Sequence, residues 1–534
     1  MKFSQKTVAT VAVALLVGAA WVAVIARLSN PSLLFRGYNS DDAMPVLMSN
    51  DDTFHLESLY YWAQDRFSGT PFFVLSLVHK ATGFFWTPSG LAIVQALWCG
   101  SSALVIWRWS GRVSMALAWA TMMLVGGVWT DLLFELAQPY AWQLTWLCLS
   151  AWVMSCRLEE TGFGGWKGGV LFFLLTWQAQ AANAMSGTWL GVLAVVELAL
   201  ARGRRLRVIA TVVLPIALAI FGEWLLRRLY WLRYWREHRV NVASPLGINL
   251  EGAFDSYTVM RSWFDWWHLG ALVACLLLAV AALRWRTIPR WLVYPAAFFV
   301  MNVLQPSVVT HIQISGTAQK YFTLAGVLGP WVVVAGLALV LESRGWWWPL
   351  VPSVALVPFG PLVKPLPPPD LAFDAALRTA NELSRTVTSG FLASGYWETY
   401  ALASLTPNVK PVSRHRQSQR THHLFEEISK TDSMWLGRRG TDGNPERDLE
   451  FWPHVLVGRT LFVPHGERFV GVGEAEFRRY RRAKVSWSKR SRVCPDEPLV
   501  VDGRGTLVLF DPIEAVFTVD EPESPAPTRE GTAW

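Results

Sequence analysis

Residues 7–26 read TVATVAVALLVGAAWVAVIA, twenty residues without a charge, preceded by Lys2 and Lys6. A helix of this length crosses the hydrocarbon core of a bilayer. Because Arg27 follows rather than a clear cleavage site, the stretch predicts an uncleaved first membrane helix. Ten further apolar runs lie at 91–107, 114–129, 139–156, 169–185, 186–200, 207–226, 268–283, 291–304, 322–341 and 346–362. The sequence therefore predicts an all-α multi-pass membrane protein with about eleven transmembrane helices.

The composition excludes other classes of protein. Of the 534 residues, 52% are hydrophobic and 16% are charged, whereas a soluble domain carries about 25% charged residues. A soluble enzyme, a disordered chain and a fibrous protein are therefore excluded. The net charge is +8, and residues 364–534 are neutral, so the basic surplus lies among the apolar runs, where basic loops set membrane topology. We expect no nucleic-acid partner.

Basic residues decide how the run at 169–200 crosses the membrane. If it forms two short helices joined by WQAQAANAMSG (177–187), the arginines at 108–112, 202–207 and 284–290 share a side with Lys2. The positive-inside rule favours this arrangement. We therefore predict a cytoplasmic N-terminus, and we place the loops 27–90 and 227–267 and the C-terminal tail on the extracytoplasmic side.

The proline-rich segment PLPPP (365–369) marks the end of the predicted transmembrane domain, residues 1–363. Residues 364–369 are predicted to form a stiff linker. Residues 370–520 are predicted to form a small extracytoplasmic α/β domain, with a helix at 370–388 and β-like runs at 454–463 and 498–510. The last residues, 521–534, are rich in Pro, Glu and Thr and are predicted to be disordered.

The strongest local signal is the acidic pair in Tyr38-Asn39-Ser40-Asp41-Asp42-Ala43, just beyond the first helix. Two adjacent carboxylates at a membrane surface suit a metal site or a base that acts on an acceptor hydroxyl. The alternative is a solvated loop in which Ser40 or Asp41 caps a helix. Under the catalytic interpretation, Asp42 is expected to be the more sensitive residue, because it abuts the turn of the chain at Ala43-Met44-Pro45.

A second acidic site is predicted in the short loop after the third apolar run. Asp131 and Glu135 are four residues apart and would share a helix face. In a connector this short and apolar, acidic side chains are expected to face a cavity or lipid headgroups. The pattern leaves a functional site and simple interface anchoring equally open.

Other polar side chains are candidates for lining a substrate cavity. Gln178, Gln180 and Asn183 lie in the predicted hairpin, and His55 lies in an acidic cluster of the first outer loop. Hydrogen bonds between helices are the alternative role for the hairpin residues. A solvated surface is the alternative for the His55 cluster.

Basic residues on the predicted outer side suggest a site for lipid phosphate. Arg227 and Arg228 open the segment RRLYWLRYWREHR, and Lys320 precedes Tyr321 at the outer end of the tenth run. Arginine gives phosphate oxygens a bidentate partner. An amphipathic helix lying in the interface is the alternative for the arginine segment.

In this order, the features resemble the C-type integral-membrane glycosyltransferase superfamily. Its members carry an acidic motif near the start of a large first extracytoplasmic loop, where this chain has Asp41-Asp42, and a second acidic position similar to Asp131 or Glu135. The segment 316–324 (GTAQKYFTL) is similar to their basic-aromatic stretch before a late helix, with Lys320 where Arg is usual. The segment 395–402 (GYWETYAL) resembles a stretch that follows the last span in bacterial proteins of this kind.

The resemblance implies transfer of a sugar from a polyprenyl-phosphate donor to an envelope glycan, lipid or protein at the outer face of a bacterial inner membrane. Asp42 or Asp41 would be the base, and Mg²⁺ or Mn²⁺ at this pair stays open, with no cofactor certain. Two alternatives remain, a lipid or solute transporter (flippase) and a non-catalytic envelope assembly protein. The acids lie at the outer edge while the centres of the apolar runs are nearly free of charge, which favours an enzyme over a transporter.

Overall fold

The computed structural model describes residues 5–519 apart from 29–39, 52–55, 61, 63–67, 126–127, 202, 231–247, 263–269, 277–288, 315–318, 343–376, 379, 382–383, 385–389, 395, 408, 414–432, 437–459, 466–467, 473–482, 488–498, 501–505 and 508–514. The predicted last span, the proline-rich linker and the predicted disordered end therefore lie outside the described residues. So does His55.

The described residues up to 342 are mainly helical. The first helices are α1 (Gln5–Leu28), α2 (Ser40–Ser49), α3 (Thr70–Thr82), α4 (Pro88–Ser110), α5 (Val113–Val125), α6 (Val128–Phe134), α7 (Tyr140–Glu159), α8 (Gly165–Ala182) and α9 (Met185–Leu200). Helix α10 comprises Arg205–Val208, a π-helical turn at Ile209–Val213 and Leu214–Tyr230. Beyond it lie α11 (Ala253–Arg261), helical residues 270–276, α12 (Arg290–Val308), α13 (Thr310–Ile314) and α14 (Thr323–Glu342).

Local sequence explains where several helices begin and end. The Thr87 hydroxyl accepts a hydrogen bond from the Gly90 amide (3.1 Å) and caps α4, whose first residue is Pro88. Helices α3 and α4 end at Gly83 and Gly111, with φ of 70° and 69°. Glycine adopts this left-handed conformation without the steric penalty of a Cβ.

Five helical segments among the described residues are long and apolar enough to cross a membrane: Thr7–Ala26, Pro88–Ser110, Arg205–Leu229, Arg290–Val308 and Gln319–Leu337. By length and composition, these segments identify an integral membrane protein. The total of eleven spans stays a prediction. The run at 169–200 divides as predicted, because α8 ends at Ala182 and α9 begins at Met185.

The core of the helical part contains several of the many tryptophans. Trp119 of α5 and Trp331 of α14 are almost fully buried, and their rings meet edge to face at 4.9 Å. The Trp119 indole donates a hydrogen bond to the Ser102 hydroxyl of α4 (2.7 Å). Buried indole rings contribute large apolar areas while their N–H groups need a partner, so these contacts fix α4, α5 and α14 against one another.

Ion pairs join the loops that the sequence predicts to be cytoplasmic. Arg290 binds both carboxylate oxygens of Glu197 (2.7 and 2.9 Å), and it binds Glu159 at 2.8 Å. Arg207 pairs with Glu160. These residues come from four different helix ends, so the structure gathers them at one end of the helical part. Which side of the membrane that end faces stays a prediction.

The described part of the tail contains β-strands and one helix: β1 (Gly390–Ser394), α15 (Tyr396–Leu405), β2 (Val409–Ser413), β3 (Ser433–Leu436), β4 (Thr460–His465), β5 (Arg468–Val472), β6 (Ala483–Trp487), β7 (Leu499–Val500), β8 (Thr506–Leu507) and β9 (Ala515–Val519). One sheet has the order β2-β1-β3-β4-β5, parallel except for β4 and β5. Strands occur in both predicted β-like runs. The α/β domain as a whole stays a prediction.

Candidate functional site

The acidic pair lies in the first turn of α2. Asp41 is partly buried, and Asp42 is 5% exposed. The other end of the helix is fixed by Asn50, whose amide nitrogen donates to the Trp86 carbonyl (2.8 Å) while its oxygen accepts from the Trp86 amide (2.7 Å). This two-way bond ties α2 to the connection between α3 and α4.

Glu135 does not share a helix face with Asp131, because α6 ends at Phe134. The two acids therefore have different surroundings: Asp131 is exposed and Glu135 is partly buried in the loop before α7. The fully buried Gln95 of α4 holds this loop, since its amide donates to the main-chain carbonyl of Glu135 at 3.1 Å. The helix-face prediction was wrong, and of the two acids the structure brings Glu135 into the site.

Lys320 and Tyr321 lie in a 3₁₀ turn, Gln319–Phe322, that leads into α14. Asn302 of α12, 2% exposed, donates to the Tyr321 carbonyl (3.3 Å) and accepts from the Ala325 amide (2.6 Å). The Lys320 ammonium lies over the Tyr321 ring at 5.6 Å. Two helices thus fix the position of this lysine.

The segments that carry Asp41, Glu135 and Lys320 lie close to one another. Burial raises the pKa of Glu135, the Lys320 ammonium and the Gln138 side chain lower it, and the Asp41 carboxylate raises it, with a net rise. The Glu135 carboxyl group is therefore within electrostatic reach of both Asp41 and Lys320. One close approach helps to bring the segments together: the Trp129 ring of α6 lies directly on Gly326 of α14, where any Cβ would overlap it.

No protein-family model matches the chain, and no curated protein is significantly similar to it. Among solved structures, the chain is similar to the crystal structure of ArnT from Cupriavidus metallidurans bound to undecaprenyl phosphate. The two sequences are 13% identical, and the alignment covers 85% of this chain and 93% of that chain with a TM-score of 0.43. This TM-score is too low to establish a shared fold, so the functional argument rests on the residues of this chain.

Arg227 is held in a buried network that the sequence did not reveal. Its Nε donates to Glu223 (2.8 Å), a residue that is 1% exposed, and its Nη2 donates to the Ala181 carbonyl (3.3 Å). Glu223 also accepts hydrogen bonds from Tyr60 (3.2 Å) and Trp177 (2.7 Å). These bonds give Arg227 a structural role. Arg228, by contrast, is exposed.

The polar residues of the hairpin fall into two groups. Gln180 accepts a hydrogen bond from the Gly187 amide (2.7 Å), and Asn183 donates to Gln143 (3.2 Å). Gln143 in turn donates to Ser186 (3.0 Å). These bonds favour the helix-to-helix role for Gln180 and Asn183. Gln178 is different, because it lines a slot together with Leu136 and Gln138, two residues of the loop that follows Glu135.

The slot runs between α3, the loop that follows Glu135, α7 and the end of α8. Its walls include the rings of Phe72, Trp142 and Trp146 and the amide groups of Gln138 and Gln178. The Trp142 indole N–H is buried and has no hydrogen-bond partner among the described residues. The lining is therefore mainly apolar, with a few polar groups near the candidate site.

The described residues contain no group of three or more His, Cys, Asp or Glu side chains that could hold a metal ion. A metal at Asp41 and Asp42 therefore stays a proposal that needs ligands from a substrate or water. The site residues that the sequence did not single out are Gln95, Glu223 and Asn302, each a polar residue within an apolar run. A polar or ionisable residue in such a run is itself a signal of function or helix contact.

Proposed function

We propose that the chain is an integral-membrane glycosyltransferase that moves a sugar from a polyprenyl-phosphate donor to an envelope acceptor on the extracytoplasmic side. The observation that carries the proposal is the convergence of the segments that hold Asp41, Glu135 and Lys320. Helix α2 packs on α4, whose Gln95 holds the Glu135 loop, and α6 packs on α14, which Lys320 precedes. These residues come from three segments that the membrane topology predicts on the same side. A carboxylate that can act as a base (Asp41), a second carboxyl group (Glu135) and a cation (Lys320) in one region suit group transfer from a phosphate ester.

In the proposed reaction, a carboxylate of the acidic pair removes the proton of the acceptor hydroxyl as its oxygen attacks the anomeric carbon of the sugar. The bond between that carbon and the phosphate oxygen breaks, and its electron pair leaves with the lipid phosphate. Negative charge thus accumulates on the leaving phosphate, where Lys320 stabilises it.

A buried ionisable residue inside a span is the observation that favours the transporter alternative, since such residues often mark ion or substrate pathways. Glu223 of α10 fits this description. Its hydrogen bonds with Tyr60, Trp177 and Arg227 supply a structural explanation. We therefore favour the glycosyltransferase over the transporter.

Membranes that contain the protein are expected to transfer labelled sugar from a synthetic polyprenyl-phosphate donor to an envelope acceptor, and membranes without it are not. Hexose and pentose donors need to be compared, because neither the sugar nor the acceptor follows from the residues of the site. Failure with every donor, at verified protein levels, would remove the enzyme proposal.

Replacing Lys320 with glutamine is expected to move the acidic limb of the pH–rate profile to higher pH. The ammonium of Lys320 lowers the pKa of Glu135, so its loss raises that pKa further. A smaller fraction of Glu135 is then ionised at acidic pH, so the acidic limb shifts. The value of kcat/KM also falls at every pH, because Lys320 no longer stabilises the leaving phosphate. The measurement is kcat/KM for sugar transfer between pH 4 and pH 8.

The control for this prediction is a double-variant comparison. In a Glu135→Gln background the Lys320→Gln change should no longer move the acidic limb, because the titrating carboxyl group is gone. An acidic limb at the same pH in wild type and Lys320→Gln would mean that Glu135 does not take part in transfer as a carboxylate.

The tail is predicted to be extracytoplasmic. Alkaline phosphatase, which is active only after export, is expected to be active when fused after Phe510 and inactive when fused after Gly203, in the loop between α9 and α10. The second fusion is the matched control, because it tests the opposite end of the helical part. Activity of the Gly203 fusion alone would reverse the predicted orientation.

A further inference from the structure

Helix α15 of the tail packs against α2, the helix that carries the acidic pair. It follows β1 and precedes β2, two parallel neighbouring strands, and it packs on both. Its side chains are buried on more than one face: Thr399 and Tyr400 are 0% exposed and Ala401 is 7% exposed, and consecutive residues of a helix point in directions about 100° apart. The helix is therefore a layer between the tail sheet and α2.

The contact with α15 contributes to the burial of α2, which also packs on α3 and α4. Ala43, Met44 and Val46 are 0% exposed, and the apolar core that contains them extends to Tyr400 and Ala403 of α15. Ala403 of α15 is 2% exposed, so a larger side chain there would overpack the core and shift the helix against its neighbours.

We propose that α15 is a positioning element for the acidic pair, so that the tail is part of the catalytic assembly rather than a separate module. This inference rests on the proposed transferase function. Asn50 fixes the far end of α2 through Trp86, whereas α15 packs on the helix and holds its direction. A displacement of about 1 Å in a reacting group costs on the order of 10²-fold in rate, so a small tilt of α2 is enough to slow transfer by about this factor.

The test uses the full chain with Ala403→Leu, which overpacks the contact, and Tyr400→Ala, which leaves a cavity. Both are expected to lower kcat for transfer by roughly 10²-fold while leaving the KM for the lipid donor unchanged. Tyr400→Phe keeps the packing of the ring and should lower kcat less than Tyr400→Ala. Pro407→Ala, at an exposed position just after α15, is the matched control.

A second measurement follows the packing without using the enzyme activity. Met44, buried in α2, is replaced by cysteine in a chain that carries Cys494→Ser, and a membrane-impermeant maleimide is applied from outside. Protection is expected in the parent chain and in Pro407→Ala, and labelling is expected in Ala403→Leu. Protein yield in the membrane is matched between variants.

The two measurements separate the possible failures. Labelling of Met44→Cys together with unchanged transfer would overturn the positioning role, and so would protection in both packing variants. If the parent chain shows no transferase activity with any donor, the proposed function fails. The labelling result still decides whether α15 covers α2.

Discussion

Replacing Asp41 with asparagine is expected to abolish sugar transfer while leaving the protein folded. A general base needs the carboxylate itself, and asparagine has nearly the same size but cannot accept the proton of the acceptor hydroxyl. Loss of a general base typically costs about 10²–10⁴-fold in rate. The measurement is transfer from a polyprenyl-phosphate sugar by membranes that contain each variant at matched protein levels.

A helix-capping role predicts a different result for the same change. Asp41 and Asp42 lie in the first turn of α2, where a negative charge gains only about 0.3–1 kcal/mol from the helix dipole. Asparagine caps a helix as well as aspartate, so the variants would be almost silent. The catalytic interpretation therefore predicts a loss of transfer rate of about 10²–10⁴-fold, and the capping interpretation predicts almost no loss, so a transfer assay distinguishes them.

The structure also changes the expected order of the two acids. The sequence favours Asp42, but Asp42 is 5% exposed while Asp41 is partly buried and within reach of Glu135. We therefore expect Asp41→Asn to be the more damaging change. Asp131→Asn, at an exposed acid outside the cluster, is the matched control. Full activity in both Asp41→Asn and Asp42→Asn would remove the enzyme assignment and favour the transporter.

Most helices could be predicted from the sequence because each depends on a local pattern. A long apolar run predicts a membrane helix, and α1, α4, α7, α12 and α14 begin and end within a few residues of the predicted runs. The division at 169–200 could be predicted because arginine positions carry topological information. The π-helical turn inside α10 could not, because nothing in the residues 209–213 marks it.

The composition of the site could be predicted only in part. Asp41, Glu135 and Lys320 were separate candidates, and up to 184 residues of chain lie between neighbouring members of this set. Their meeting depends on packing between distant helices, such as the contact of Trp129 with Gly326. The sequence pattern also extended a helix through Glu135, whereas α6 ends before it. Pro139, four residues later, disfavours a continuous helix through this loop.

Replacing Arg227 with methionine is expected to destabilise the protein strongly, independently of any role in donor binding. Glu223 is 1% exposed, and its carboxylate is paired with Arg227 at 2.8 Å. Removing one partner of a buried ion pair leaves an uncompensated charge and typically costs about 3–5 kcal/mol. The Arg227 side chain is 18% exposed, so water screens part of the charge and the lower end of that range is expected. The measurement is the thermal unfolding midpoint of the purified protein in detergent.

Arg228→Met is the matched control, because this neighbour is the same residue type but is exposed, and surface substitutions usually change stability by about 0.5 kcal/mol or less. A double variant, Glu223→Leu with Arg227→Met, removes both charges and should be more stable than Arg227→Met alone. Equal midpoints for Arg227→Met and wild type would mean that the stability of the protein does not depend on the pairing of Glu223 with Arg227.

Arg228→Met also tests phosphate binding in a protein of normal stability, so a raised KM for the lipid donor in this variant would place Arg228 at the donor phosphate. A simultaneous change of both arginines could not separate these effects, because the loss of Arg227 alone would lower the amount of folded protein.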